Sequence, residues 1–312
     1  MKNSMKDKVI IIPGPTAVGK TEIAIDLALR MNGAIISADS MQIYKYMDIG
    51  SAKPTKEELE KVQHYLIDEI DPREPFSVAD YKECCEKYIR EIISSGKIPI
   101  ITGGTGLYIN SILYDMDFSE AEPDLNYRKQ LMEKAKTHGN SYVHEKLRAI
   151  DMDLYHRIHP NNLKRVIRAL EIYKNTGEIV QSFEESFRKK DDYDYILIGL
   201  MRNRQELYDR INHRVDILIQ AGLIDEVKEL LEKGLKISDI SMKGIGYKEV
   251  IEYLEGSRDL EETVELIKRN TRRYAKRQMT WFRRYDDVKW CNLSDYTLKE
   301  DAINAIIELV KI

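Results

Sequence analysis

The stretch Val9-Ile10-Ile11-Ile12-Pro13-Gly14-Pro15-Thr16-Ala17-Val18-Gly19-Lys20-Thr21 decides the fold of this chain. Its last eight residues carry the full G-x-x-x-x-G-K-[ST] spacing of a phosphate-binding loop. The apolar run before them reads as a buried strand. In such a loop the glycines let backbone N–H groups wrap phosphate oxygens. The lysine adds a point charge, and the threonine hydroxyl can reach a magnesium ion. A helix read over residues 20–30, with Ile23, Leu27 and Ala28 inward, points its positive end at the same anion. Gly14, Pro15, Thr16, Ala17, Val18, Gly19, Lys20 and Thr21 are therefore the candidate anion site, with Thr21 as the candidate magnesium ligand.

Working outward, the pattern repeats. Residues 34–38 read as a second strand that delivers Asp39 at its carboxyl end. Ser77-Val78-Ala79-Asp80 is a capping box. It opens a helix whose apolar stripe is Val78, Tyr81, Cys85, Tyr88, Ile89 and Ile92. Residues 98–102 form another strand, followed by Gly103-Gly104 and a further helix. Residues 195–200 form one more, and a short strand is expected over 288–291. Apolar strands without two-face alternation, separated by helices, indicate a parallel sheet covered on both sides. The expected fold is an α/β phosphate-loop core of the nucleoside-triphosphate-hydrolase type. Ligands in such sheets bind at the carboxyl ends of the strands, where the loop, Asp39 and Gly103-Gly104 all fall.

The middle of the chain breaks this pattern. Residues 118–190 show no convincing strand and read as a largely helical insertion over the mouth of the site. The core is then residues 1–117 and 191–312. The helix over 163–173 fits either the insertion or the core.

Composition narrows the class. The chain has 312 residues, 33% of them charged, and a formal net charge of −4. No stretch approaches 18 continuous apolar residues, so no membrane span is expected. Three cysteines, two of them adjacent, fit a reducing cytoplasm rather than a disulfide framework. The six histidines have no metal-ligand spacing.

A phosphate loop alone does not prove ATP. A nucleotide hydrolase of this fold usually ends an apolar strand with a magnesium-holding aspartate. Here the strand over 98–102 ends in Thr-Gly-Gly. Asp39 is the aspartate at a comparable strand end, and it opens the polar cluster Asp39-Ser40-Met41-Gln42-Ile43-Tyr44. Two readings of Asp39 stand side by side: a helix cap, or a general base facing the loop.

Residues 268–284 hold eight basic residues and no acidic one. On a helix, Arg269, Arg272, Arg273, Lys276, Arg277, Arg283 and Arg284 share a face about 140° wide. Ile267, Tyr274, Trp281 and Phe282 fall opposite, as the packing side. Like charges at i+4 repel, so such a stripe suits a polyanion backbone. A weaker basic group is Lys164, Arg165 and Arg168. Three activities remain open from the residues alone: group transfer to a nucleic acid, an ATP-dependent small-molecule kinase, and a nucleotide-gated RNA-binding module.

Taken as an ordered series, these segments resemble the bacterial tRNA dimethylallyltransferases, also called tRNA isopentenyltransferases. The series comprises GPTAVGKT at 14–21 and the cluster at 39–44. It continues through Met47-Asp48-Ile49-Gly50 with Ala52-Lys53-Pro54, residues 64–68, and Gly103-Gly104-Thr105-Gly106-Leu107-Tyr108. Next come Arg157-Ile158-His159-Pro160-Asn161-Asn162 with Arg165 and Arg168-Ala169-Leu170-Glu171. Gly244-Ile245-Gly246-Tyr247-Lys248-Glu249 and residues 271–284 complete it. The departures are small: Tyr65 and Ser51 stand where histidine and threonine are frequent, and Met242-Lys243 precedes Gly244.

The resemblance implies transfer of a dimethylallyl group from dimethylallyl diphosphate to N6 of adenosine 37 in tRNA, with magnesium as cofactor. It implies that Lys20 and Thr21 hold the diphosphate and that Asp39 is the general base. Contacts to tRNA are implied for Asp39, Ser40, Met41, Gln42, Thr105, Arg128, Leu163, Lys164, Arg165, Val166 and Ile167. Arg273 and Arg277 join them from the basic stripe. A monomer is expected.

Overall fold

At the centre of the computed structural model, which describes residues 6–116, 124–179 and 188–311, lies β1 (Lys8–Pro13). Five further strands flank it: β2 (Gly33–Ser37), β3 (His64–Tyr65), β4 (Ile98–Gly103), β5 (Asp194–Met201) and β6 (Lys289–Asn292). The order across the sheet is β3-β2-β4-β1-β5-β6, and every pairing is parallel. Parallel neighbours need crossover helices, which cover both faces and exclude water from the strands.

The apolar run Val9-Ile10-Ile11-Ile12 shows how this works. Val9 and Ile11 point to one face, into a core with Ala34, Ile36, Ile101 and Leu197. Ile10 and Ile12 point to the other, with Ile35, Ile100, Ile196 and Ile198. Side chains alternate with period two along a strand, so a run apolar at every position is buried on both faces. The helix Val78–Ser94 covers the first face with Tyr81, Cys85, Ile89 and Ile92. The helices Lys20–Arg30 and Lys299–Lys311 cover the second with Ile23, Leu27, Ile303 and Ile306. The capping box forms as expected: Asp80 N donates to Ser77 Oγ, and Ser77 N donates to the Asp80 carboxylate at 2.7 Å.

Register aligns the functional ends of the strands. Pro13 pairs with Gly103, and Thr102 pairs with both Ile12 and Ser37. The phosphate loop, the segment after β2 and the Gly103-Gly104 turn therefore leave the sheet at one level. Gly103 permits that closeness. A Cβ there would sit 2.1 Å from the Ala38 carbonyl oxygen, so no larger residue fits without moving backbone.

β2 runs over Gly33–Ser37, one residue earlier than expected, and two further strands also differ. The last runs over Lys289–Asn292, one residue later than the hydropathy suggested. β3 has two residues at the sheet edge, too short for any periodicity to mark.

The chain forms two compact units. One comprises residues 1–114 and 190–312, the other residues 115–189. The boundary expected at residues 117 and 118 lies outside the described residues. Within the smaller unit the helix Leu163–Thr176 places Val166, Ile167, Ala169 and Leu170 in one apolar core with Leu131, Val143, Leu147 and Leu154. That helix thus belongs to the insertion rather than to the sheet core. Among the described residues no helix is long and apolar enough to cross a membrane.

Candidate active site

The phosphate loop bends through positive φ at Ala17 (63°) and Gly19 (109°) before the helix Lys20–Arg30 begins. Such a bend turns successive N–H groups inward around an anion. Lys20 folds back over the loop, and its Nζ donates to the Pro15 carbonyl at 2.7 Å. Burial pushes its ammonium down from 10.5 to about 7, Asp39 opposes that shift and Arg214 adds to it. A binding anion would restore the charge.

Three arginines that the sequence reading did not single out surround the same loop. Arg202 Nε donates to Val18 O at 2.8 Å, and Arg210 Nε donates to Ala17 O at 2.9 Å. Arg214 Nη2 donates to Ala52 O at 3.4 Å. Burial lowers the Arg214 guanidinium from its ordinary value, Asp39 opposing. Arg210 and Arg214 stand four residues apart on the helix Arg204–Gln220. That like-charged i, i+4 pair is the one signal of them in the sequence. A mixed-sign helix hides it.

Asp39 follows β2, and its Oδ1 accepts the Met41 amide at 2.9 Å. Residues 40–43 form a turn and no helix follows, so Asp39 closes a turn and does not cap a helix. The neighbours fix the turn further. Ser40 N donates to Thr105 Oγ1 at 3.0 Å, and Thr105 N donates to Ala38 O at 3.0 Å. Gln42 Oε1 accepts from Ser37 Oγ at 3.1 Å, while its Nε2 donates to Ala52 O at 3.1 Å. Thr105 thus ties the turn after β4 to the turn after β2.

Two cavities meet at Asp39. One, of about 410 Å³, is lined by Lys20, Thr21, Ser37, Gln42, Arg210 and His213. The other, of about 420 Å³, is lined by Ser40, Met41, Tyr44, Phe76, Tyr108, Ile245 and Arg277. Thr16, Asp39, Ser51, Arg214 and Tyr274 line both. The first gathers Lys20, Arg210 and Arg214 at the phosphate loop, with Glu22 and Glu58 also in its lining, and offers donors for a polyphosphate. The second is aromatic and apolar, and suits a flat ring. The Asp39 carboxylate lines both, where contents of the two would touch, and the same group closes the local turn. The described residues contain no cluster of three or more His, Cys, Asp or Glu able to hold a metal. A hard cation here would take Thr21 Oγ and otherwise lean on the oxygens of its own ligand and water, the habit of magnesium.

Residues 42–285 match the family model IPP transferase. The chain belongs to the IPP transferase family. It is 54% identical over 298 residues to the tRNA dimethylallyltransferase of Acetivibrio thermocellus, covering 95% of each chain. It is 52% identical to that of Alkaliphilus oremlandii, covering 97% of each. Among solved structures, it is similar to the full-length tRNA isopentenylpyrophosphate transferase of Bacillus halodurans. There the TM-score is 0.74 and identity 44%, over 98% of this chain and 97% of that one. It is also similar to a eukaryotic dimethylallyltransferase acting on tRNA. That match has a TM-score of 0.81 and 29% identity, over 97% of this chain and 80% of the other.

In this IPP transferase the basic stripe lies on the helix Leu260–Phe282. Arg269, Arg273, Lys276 and Arg277 are exposed along it. Four details depart from the sequence reading. The regular helix ends at Phe282, so Arg283 is its cap and Arg284 lies beyond. Arg272 turns inward and donates to Asn212. Lys268 is neutralised from outside its own run, by Asp216 at 2.8 Å and Glu265 at 3.2 Å. Tyr274, expected on the packing side, lines both cavities instead. Gln278 anchors the helix to the site: its Oε1 accepts the Thr16 amide at 2.9 Å and its Nε2 donates to Gly104 O at 2.9 Å.

Within the insertion of the IPP transferase, Arg128 makes two hydrogen bonds to Glu171, at 2.7 and 2.8 Å. Glu171 is fully buried and also pairs with Arg168 at 2.5 Å. Arg128 therefore has a structural task. Val166 and Ile167 are 0% and 2% exposed, so their side chains cannot reach a nucleic acid; Leu163 packs on the same core. Helical spacing at 163, 166, 167 and 170 turns these residues to one face. Lys164 and Arg165 are the exposed members of the segment.

Proposed function

We propose that this chain transfers a dimethylallyl group from dimethylallyl diphosphate to N6 of adenosine 37 in tRNA, releasing diphosphate. The observation that carries the reading is the place of Asp39, shared by the cavity at the phosphate loop and an aromatic one. The relatives named above favour neither a metabolite kinase nor a nucleotide-gated RNA-binding module.

In this reading the diphosphate lies on the loop from Gly14 to Thr21, with Lys20 and Arg210 beside it and Arg214 at the junction. Magnesium, when bound at Thr21 Oγ, supplies further neutralisation of the diphosphate charge. The adenine occupies the second cavity among Met41, Tyr44, Phe76 and Tyr108. Its exocyclic amine is a weak nucleophile, because its lone pair is delocalised into the ring. The allylic carbon therefore develops positive charge as its bond to diphosphate oxygen lengthens. Preorganised cations stabilise the departing oxygen without reorganising. The N6–carbon bond forms, the carbon–oxygen pair leaves with diphosphate, and the amine proton passes to the Asp39 carboxylate. The base must leave its stack to enter the cavity, which costs less in a loop than in a duplex.

The exposed arginines Arg273 and Arg277 hold the tRNA backbone, and Arg277 also lines the base cavity. Lys164 and Arg165 offer further backbone contacts. The chain is proposed to act as a monomer. The cytoplasm holds tRNA and keeps Cys84, Cys85 and Cys291 as thiols, so the reaction is placed there.

The test is transfer of label from dimethylallyl-labelled diphosphate to unmodified tRNA with magnesium present. Labelled N6-substituted adenosine after nuclease digestion is the expected product. Absence of label in adenosine overturns the reading.

A further inference from the structure

We propose that Glu226 is a positioning residue for transfer, holding the loop that shapes the junction of the two cavities. It lies on the helix Leu223–Glu232, outside the lining of either cavity. Yet its carboxylate accepts four donors. Oε2 accepts the Asp48 amide at 2.8 Å and the Ile49 amide at 2.7 Å. Oε1 accepts the Gly50 amide at 3.0 Å and the Tyr247 hydroxyl at 2.8 Å. A carboxylate is acceptor-only with about four lone-pair sites, so this set uses it in full.

The clamped residues lead straight into the site. Gly50 and Ala52 line the base cavity, and Ser51 lines both cavities. Ala52 O accepts from Gln42 Nε2 and from Arg214 Nη2. Gln42 adjoins the Asp39 turn, and Arg214 lines both cavities. Ala52 has φ of 48°, a conformation a non-glycine residue keeps only when its surroundings impose it. The packing allows little slack. A Cβ on Gly50 would sit 2.5 Å from the Tyr247 ring, so the loop lies flat on that ring. Tyr247 is itself held, because Gly246 N donates to Glu249 at 2.8 Å and Asn270 of the basic helix donates to Glu249 at 2.7 Å.

Glu226 therefore sets Arg214 and Gln42 through the Ala52 carbonyl without touching either substrate. A displacement of about 1 Å at reacting groups can cost on the order of a hundredfold in rate. The inference rests on the prenyl-transfer reading for its rate effect, and on geometry alone for the clamp.

Glu226→Gln tests it, since the amide turns N–H donors toward two of the four groups. Hydrogen exchange by mass spectrometry is measured on the free protein, with steady-state transfer and tRNA binding alongside. Exchange should quicken within residues 47–53 and stay unchanged in β1 and β4. The kcat should fall about tenfold to a hundredfold, with the Kd for tRNA within about twofold. Glu226→Asp keeps the charge but shortens the reach, and should be intermediate in both readouts. It replaces Glu226→Gln should that variant fail to fold.

Wild-type exchange in residues 47–53, or wild-type kcat, overturns the proposal. So does quickened exchange throughout the sheet with a lowered Tm, since that marks a general structural role. If wild-type protein transfers no label, the functional reading fails instead, and the exchange result still decides whether the clamp exists.

Discussion

Thr16 and Gln278 lie 262 residues apart in the chain, and the Thr16 amide donates to the Gln278 side chain at 2.9 Å. The same side chain donates to Gly104 O. One glutamine thus joins the phosphate loop, the turn after β4 and the basic helix. A helix that carries outward arginines is registered against the loop from Gly14 to Thr21.

Replacing Gln278 by leucine keeps the volume and leaves the Thr16 amide and the Gly104 carbonyl without their partner. The Gly104 carbonyl is buried, and a buried orphan costs about 1–3 kcal/mol. We expect a lower denaturation midpoint and transfer reduced about tenfold or more, as the loop loses its register. Chemical denaturation and steady-state kinetics measure both, and unchanged values would remove Gln278 from this role.

Asp39→Asn keeps an oxygen for the Met41 amide but cannot take a proton. Transfer should fall by about a hundredfold to ten-thousandfold, with tRNA affinity little changed. The turn alone would predict the reverse, a variant that is nearly active. Single-turnover transfer and filter binding separate the two.

Lys20 gives a pH signature. Its ammonium is pushed from 10.5 to about 7 by burial, so in the empty site it is largely neutral at pH 8 and charged at pH 6. Inorganic diphosphate favours the charged form, so binding should take up protons at pH 8 more than at pH 6. Calorimetry in buffers of differing ionisation heat reads this. Lys20→Arg, which stays charged, should abolish the difference, and equal uptake in both proteins would refute it. The stability sign follows from the same shift. The unfolded chain holds the extra proton between about pH 7 and 10.5, so the cost of burying Lys20 is full below about 7 and is relieved as pH rises through that window.

Arg273→Ala with Arg277→Ala should weaken tRNA binding and flatten its salt dependence. Each lost phosphate contact lowers the slope of log K against log salt by about 0.7 to 0.9. Titrations at several salt concentrations check this. A parallel drop with unchanged slope would mean that the arginines act other than on backbone phosphates.

The sequence by itself determined everything that local spacing encodes. The loop from Gly14 to Thr21, the strands apolar at every position and the capping box at Ser77 are properties of neighbouring residues, and short-range geometry realises them. It also marked Asp39, because a strand end in a parallel sheet is a known level in space. Tertiary structure alone decided which distant groups complete the site. Arg210 and Arg214 sit in a helix of mixed charge, Arg202 lies between β5 and that helix, Tyr274 sits among packing aromatics, and Gln278 is one polar residue in a basic run. Beyond the four-residue spacing of Arg210 and Arg214, none has a neighbour that betrays its task. The same limit worked in reverse for Val166, Ile167 and Arg128. Their segment carries a family resemblance, but an apolar helix face and a buried Glu171 claim those side chains for the core. Burial is a property of the assembled molecule: a side chain's partner can lie hundreds of residues away, and only the fold brings the two within 3 Å.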